Sequence, residues 1–262
     1  MTTKPKYTLE TRAGDCREHG RFPDNLVQQF GADPTWFGCP RCHFDARHSQ
    51  DFDQRSKAVG IQRDRLLNER LLDAGIPERF TACTLSNWSA DTPAQVQALA
   101  ACSGFVEAFE ENFGVGRSAM LLGTVGTGKT HLGAAMLQAV IRQHAHAGLR
   151  GLYATAGSII RDVKATFGNR GRTEADIYED LIRPDLLVID EVGVQHGTDF
   201  ERQVLFEVIN GRYEKLYKPT IVVSNLGVTE LRQCLGDRAV DRLRDKSGIV
   251  VVFRWASARG DV

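Results

Sequence analysis

The hydrophobic positions fall into two regimes along the chain. From residue 119 to residue 253, short and nearly continuous apolar runs alternate with longer amphipathic stretches, whereas before residue 76 apolar residues are sparse and charges frequent. In the first regime Ala119-Met-Leu-Leu122, Gly151-Leu-Tyr-Ala-Thr155, Leu186-Leu-Val-Ile189, Thr220-Ile-Val-Val223 and Ile249-Val-Val-Val-Phe253 read as strands. Near-continuous apolarity marks strands buried on both faces, as in a parallel sheet. Residues 131–146, 158–167, 176–182, 198–215, 227–235 and 237–245 read as helices between them. The alternation predicts an α/β fold, a parallel sheet flanked by helices. Residues 94–113 add an amphipathic helix that ends at Gly114, and residues 77–88 read as a loop.

In the second regime residues 44–74 alternate charges with Ala58, Ile61, Leu66, Leu67, Leu71 and Leu72 near helical spacing, and Gly75-Ile-Pro77 closes the segment. A connecting helix is expected, either a solvated spacer or an amphipathic arm that docks on a partner.

Composition adds bounds. At 262 residues the chain holds one large domain, or a medium domain with a small appendage. Lys+Arg 33 balances Asp+Glu 33, so nucleic-acid binding would need a local patch rather than an overall cationic field. No apolar stretch approaches a membrane-spanning length, and Met1-Thr-Thr-Lys-Pro-Lys6 lacks the apolar core of a signal peptide. A cytoplasmic protein without membrane contact is expected. Its six cysteines are then thiols or metal ligands rather than disulfides.

Four of the ligand types are paired. Cys16-x-x-His19 is followed, after residues 20–38, by Cys39-x-x-Cys42. Short pairs wrap the chain tightly enough for two ligands to reach one ion, and two pairs suit tetrahedral Zn²⁺. The interval has room for a hairpin or loop with Phe22, Phe30, Trp36 and Phe37 as a small core, and His43 is a possible substitute ligand. Four protein ligands leave no open position, so the metal would be structural, and so small a segment would need it to fold.

The strongest motif is Gly123-Thr124-Val125-Gly126-Thr127-Gly128-Lys129-Thr130, a G-x-x-x-x-G-K-T loop between a strand and a helix. Its glycines let successive backbone N–H groups turn inward on a phosphate, and the helix N-terminus adds its positive dipole end. Lys129 would reach the β- and γ-phosphates and Thr130 would complete a Mg²⁺ shell, which makes ATP or GTP the default ligand. The strand at 186–189 stops in Asp190 and Glu191, at the carboxyl end where ligands of parallel sheets sit. Asp190 would hold Mg²⁺ through its water shell, Glu191 would polarise the attacking water, and Asn225, at the end of the next strand, would bond that water or the γ-phosphate.

With these residues the chain resembles the AAA+ ATPases, and within them the DnaC-type loaders of the bacterial replicative helicase and their phage relatives. The resemblance rests on residues 123–130 as Walker A, 186–195 as Walker B, Ser224-Asn225 as sensor 1, Gly236-Asp-Arg-Ala-Val-Asp-Arg-Leu243 as the box of the arginine finger, and the ending Phe253-Arg-Trp-Ala-Ser-Ala-Arg259. It implies an ATP- and Mg²⁺-dependent ATPase that assembles through its ATPase domain and places a hexameric DnaB-type helicase on single-stranded DNA. It implies that Arg242 acts in trans as the finger with Arg238 in support, and that Arg259 is a sensor-2 arginine. With only Gly260-Asp-Val262 beyond Arg259, no helical lid is expected. It further implies that the helix at 158–167 and the loop after it face single-stranded DNA through Arg161, Lys164, Phe167 and Arg170, with Arg172 adding charge. The expected division is 1–48 zinc module, 49–76 charged helical linker and 77–262 ATPase domain. An IstB-like transposition ATPase shares the core and is the alternative; a non-hydrolysing DNA scaffold is disfavoured by the presence of both carboxylates and Asn225.

Overall fold

The computed structural model describes residues 8–28, 33–168, 171–194 and 197–257. Arg170 and Arg259, two of the expected site residues, lie outside them, as does Phe30. The chain divides into two compact units, 1–62 and 63–262.

In the first unit β1 (Thr8–Cys16) and β2 (Gly20–Val27) form an antiparallel hairpin, and a short β3 (Thr35–Trp36) adds to β2 through the pairs Leu26↔Trp36 and Val27↔Thr35. The buried carboxylate of Asp24 ties the module together, accepting from Arg12 Nη2 at 3.1 Å and from the Gly38 backbone N–H at 2.8 Å. Arg12 in turn covers the Trp36 ring at 3.9 Å. The helix α1 (Pro40–Asp73) starts earlier than its apolar spacing indicates, because Pro40 occupies the first helical position, where its missing N–H costs nothing.

In the second unit α2 (Pro93–Glu107) and α3 (Phe109–Val115) lead into the sheet. One continuous helix was expected here. It breaks at Ala108, and the buried Asn112 side chain donates to the Phe105 carbonyl at 2.8 Å, meeting an acceptor freed at the end of α2. There follow β4 (Ala119–Gly123), α4 (Lys129–His144), β5 (Gly151–Thr155), α5 (Ala156–Ala165), α6 (Glu174–Ile182), β6 (Leu186–Val192), α7 (Asp199–Gly211), β7 (Thr220–Ser224), α8 (Val228–Leu235), α9 (Asp237–Arg244) and β8 (Ile249–Phe253).

The five strands are all parallel, in the order β5-β6-β7-β4-β8. Alternate residues point to opposite layers. Leu121, Val188 and Val223 join Leu132, Leu137 and Phe105 on one face, while Leu122, Ile189 and Val222 join Ile159, Val204 and Val240 on the other. Burial on both faces is why these strands are apolar at successive positions.

The helix expected to run to residue 215 instead leaves the α form at Gly211 and widens into a π-turn over Arg212–Leu216. Arg212 is the cause, since its guanidinium is 0% exposed and donates to the carbonyls of Leu181, Ile182, Pro184 and Pro219 and to the Thr220 hydroxyl. Burial pulls its pKa down to about 9, with Asp185 opposing, so it stays charged at neutral pH.

Candidate nucleotide site and metal cluster

The loop after β4 closes over its own backbone. Gly123, Gly126 and Gly128 have φ of 137°, 80° and 90°. A Cβ on Gly128 would stand 2.3 Å from Trp88 Nε1, and one on Gly123 would stand 2.0 Å from the Phe253 carbonyl oxygen, so both conformation and space demand glycine. Thr124 and Val125 are exposed at the loop tip, and the Thr127 hydroxyl donates to the Thr124 carbonyl at 2.8 Å. Lys129, 4% exposed, donates to the Thr124 carbonyl at 2.5 Å. Burial lowers its pKa and the charge of Asp190 opposes the shift, so this ammonium is set to gain from an arriving anion.

The loop rests on aromatic residues that the sequence did not single out as site residues. Trp88 meets Trp255 edge-on at 6.0 Å between centroids, Phe253 lies 4.9 Å from Trp255, and the Trp255 indole donates to the Thr127 carbonyl at 3.1 Å. Nearby, His131 Nε2 lies 3.0 Å from the Thr84 carbonyl and 2.9 Å from Asn87 Oδ1, while the buried Gln138 amide donates to the carbonyls of Phe80 and Cys83. The 77–88 segment is thereby pinned to α4.

The two carboxylates reach the site through a break in the ladder. Ile189 pairs with Val222 and Val192 with Ser224, so two residues of β6 oppose one of β7, and Glu191 takes a left-handed φ of 57°. Adjacent strand residues normally point to opposite faces, but here Asp190 and Glu191 both line one cavity of about 520 Å³. The same cavity is lined by Gly126, Lys129, Thr130, Asn225, Arg79 and Trp255. Asp190, 3% exposed, accepts the Glu191 backbone N–H on Oδ1 at 2.7 Å and the Tyr153 hydroxyl on Oδ2. Burial, then the charge of Asp190, keeps the Tyr153 phenol protonated.

Other expected residues stand apart. Arg242, on α9, pairs with Glu214 at 2.8 Å and does not line this cavity. Arg161, Lys164 and Phe167 share one stretch of exposed surface; Lys164 lies 3.9 Å from the carboxylate of Glu201, and Phe167, 62% exposed, meets Phe200 edge-on. Arg172 pairs with Asp180, so part of the expected basic surface is neutralised within the chain.

In the first unit Cys16 and His19 flank the tight turn of the hairpin, while Cys39 and Cys42 sit one helical turn apart at the start of α1. Their ligand atoms lie within 4.8 Å of one another. Cys16 and Cys42 sulfurs are 3.5 Å apart, and His19 Nδ1 is 3.3 Å from Cys42 and 3.7 Å from Cys16 and Cys39. A tetrahedral ion with bonds of about 2.0 to 2.3 Å needs ligand separations of roughly 3.5 to 3.8 Å, so the four residues fit zinc. His19 Nε2 faces Asp45 at 3.4 Å, a carboxylate that fixes the ring with Nδ1 toward the cluster. His43 is not a member, since its ring is stacked on Phe37 and bonded to the Phe37 carbonyl. The backbone N–H groups of Glu18 and His19 draw Cys16 down to about 6, whereas the bond to Cys16, then burial, pushes Cys42 up to about 12. One proton is thus held between the sulfurs of Cys16 and Cys42, and a cation would displace it.

A glycine-rich loop after the first strand of a parallel sheet of 5-1-4-3-2 type, with an Asn at the end of the adjacent strand β7 and paired acids on β6 one strand further, defines a P-loop protein of the AAA+ class. Residues 65–254 match the IstB-like ATP-binding protein family, and the chain belongs to that family. It is 33% identical over 192 residues to the replicative helicase loader DnaC of Escherichia coli (strain K12), covering 72% of this chain and 74% of DnaC. It is 30% identical over 212 residues, 80% of each chain, to the DnaC of Buchnera aphidicola subsp. Acyrthosiphon pisum. Among solved structures, the DnaC helicase loader superposes with a TM-score of 0.58 at 23% identity, over 68% of this chain and 99% of that one. DnaI superposes with a TM-score of 0.55 at 19% identity, over 69% and 94%. The family match begins inside α1, so the cysteine cluster lies outside it.

Proposed function

We propose that the chain is an ATP-hydrolysing loader that places a hexameric replicative helicase of the DnaB type on single-stranded DNA. The observation that carries this reading is the 33% identity to DnaC across the core, in a chain whose Lys129, Asp190, Glu191 and Asn225 surround or line one cavity. The two DnaC relatives are named replicative helicase loaders, which favours loading over transposition.

In this reading Lys129 and the backbone N–H groups of residues 126–130 hold the phosphates of ATP, and Thr130 and Asp190 hold Mg²⁺. ATP supplies the phosphoanhydride, and the ion neutralises charge on it. Glu191 accepts a proton from the attacking water, and Asn225 orients that water. Arg242 completes the site of a neighbouring copy, and Arg161, Lys164 and Phe167 contact DNA by charge and stacking, with Arg170 in the loop beyond. Residues 1–48 form a zinc module, 49–76 a charged helical linker and 77–262 the ATPase domain of a cytoplasmic protein. The first two segments grip the helicase, and the third holds DNA. Among the described residues no helix is long and apolar enough to cross a membrane.

Co-sedimentation with the host's purified replicative helicase tests the reading. A complex that forms with the full chain is expected, and its loss on deleting residues 1–76, with nucleotide binding retained, locates the grip. No complex at micromolar concentrations, alongside capture of a transposase, would overturn it.

A further inference from the structure

The edge strand β5 carries an anomaly. Strands buried on both faces favour aliphatic residues, yet Tyr153, 6% exposed, places a phenol in the core and aims its hydroxyl out of it. Tyr153 is in register with Val188, and Thr155 with Asp190, so the tyrosine starts one strand over and two residues short of the acid. Its ring spans that offset, and the hydroxyl donates to Asp190 Oδ2.

The bond matters because of what it does to the carboxylate. Asp190 has one donor on each oxygen, the Glu191 backbone N–H on Oδ1 and the Tyr153 hydroxyl on Oδ2, and two opposed donors lock rotation of the carboxylate plane. A carboxylate offers about four lone-pair positions, so the locked group keeps acceptor capacity for a cation's water shell. Lys129 is the competing partner, since its ammonium is buried nearby and feels the charge of Asp190. A carboxylate free to turn toward Lys129 would be lost to the metal and would draw the lysine away from phosphate. Two donors already in place make that turn costly.

We propose that Tyr153 is a positioning residue for the ATPase site, its hydroxyl holding the Asp190 carboxylate in the orientation that serves Mg²⁺ rather than Lys129. This rests on the reading of the cavity as an ATP·Mg²⁺ site. Partners of this kind, one step removed from a metal, change metal affinity about 10- to 100-fold when removed. Phenylalanine keeps the ring and its packing and deletes only the donor.

The test is a Mg²⁺ titration of the binding of a fluorescent ATP analogue to the full chain. Tyr153→Phe is expected to bind the analogue in EDTA as the parent does, and to need about tenfold more Mg²⁺ for half of the Mg²⁺-dependent gain. In an Asp190→Asn background the same substitution should change nothing further, which a purely structural role would not predict. Should Tyr153→Phe not fold, Tyr153→Ile, an aliphatic edge-strand residue, gives the same comparison. Equal Mg²⁺ requirements in parent and variant, or a full additional loss on top of Asp190→Asn, would overturn the proposal. A parent that binds no nucleotide with or without Mg²⁺ would overturn the ATPase reading and this inference with it.

Discussion

Arg242 Nη2 donates to Glu214 Oε1 across 2.8 Å, and its guanidinium lies 5.2 Å from the Tyr213 ring centroid and 5.4 Å from that of Phe206. Its other terminal nitrogen, Nη1, is buried without a hydrogen-bond partner among the described residues. In its proposed role as a finger, Arg242 would have to exchange Glu214 for the phosphate of a neighbouring copy. Arg242→Ala should therefore leave ATP affinity unchanged and lower turnover at assembling concentrations by about 10³-fold. Mixed with Lys129→Ala, it should recover part of the activity, because one intact composite site can form. A turnover assay across mixing ratios checks this, and no recovery at any ratio would count against action in trans.

Lys129 and Glu191 should fail in different ways. Lys129→Ala removes the buried ammonium that lines the cavity and, in the proposed reading, meets the phosphates, so it should abolish ATP binding. Glu191→Gln keeps shape and loses the base, so it should bind ATP as the parent does while hydrolysis falls by roughly 10²- to 10⁴-fold. Equilibrium binding and phosphate release, measured on the same preparations, separate the two, and equal turnover in Glu191→Gln and the parent would refute its role.

Much of the candidate sites was legible because the phosphate loop and each of the pairs Cys16/His19 and Cys39/Cys42 are local patterns, a few residues apart on one stretch of chain. What stayed hidden depends on register and on long-range packing. Period-two alternation sends Asp190 and Glu191 to opposite faces, and only the bulge at β6 and the left-handed Glu191 bring both to one cavity. Trp255 under the loop, Tyr153 against Asp190 and Asp45 behind His19 each come from another element, so spacing alone could not pair them. The break at Ala108 and the π-turn at Arg212 likewise follow from single buried polar side chains, Asn112 and Arg212, that a hydrophobic pattern does not register. The sparse charged stretch did read as a helix; its start at Pro40 did not, because the first turn is set by proline rather than by apolar spacing.

Zinc binding should release protons. Cys16, drawn down to about 6, is largely a thiolate at pH 7.5, whereas Cys42, pushed up to about 12, must give up its proton to bind the metal. Titrating metal-free protein with Zn²⁺ in a weakly buffered indicator solution should show acidification at one equivalent. Affinity should fall about 10- to 100-fold in Asp45→Ala, which leaves the four ligands and removes the partner of His19 Nε2. Binding without acidification would contradict the thiol assignment.

Arg212 should be the most costly polar residue to remove from the core of the second unit. Arg212→Met leaves the carbonyls of Leu181, Ile182, Pro184 and Pro219 without this donor and should destabilise the fold by roughly 3–5 kcal/mol. Urea unfolding of the two proteins measures the difference, and a loss below about 1 kcal/mol would show that the carbonyls find other partners.

Helicase placement itself is the most direct measurement. On a single-stranded circle covered by single-strand binding protein and carrying one annealed oligonucleotide, the replicative helicase alone should displace the oligonucleotide slowly. Adding this chain with ATP should accelerate displacement many-fold, and the Lys129→Ala protein should not. Displacement at the same rate with and without the chain, under conditions where the two proteins are shown to associate, would contradict the loader assignment.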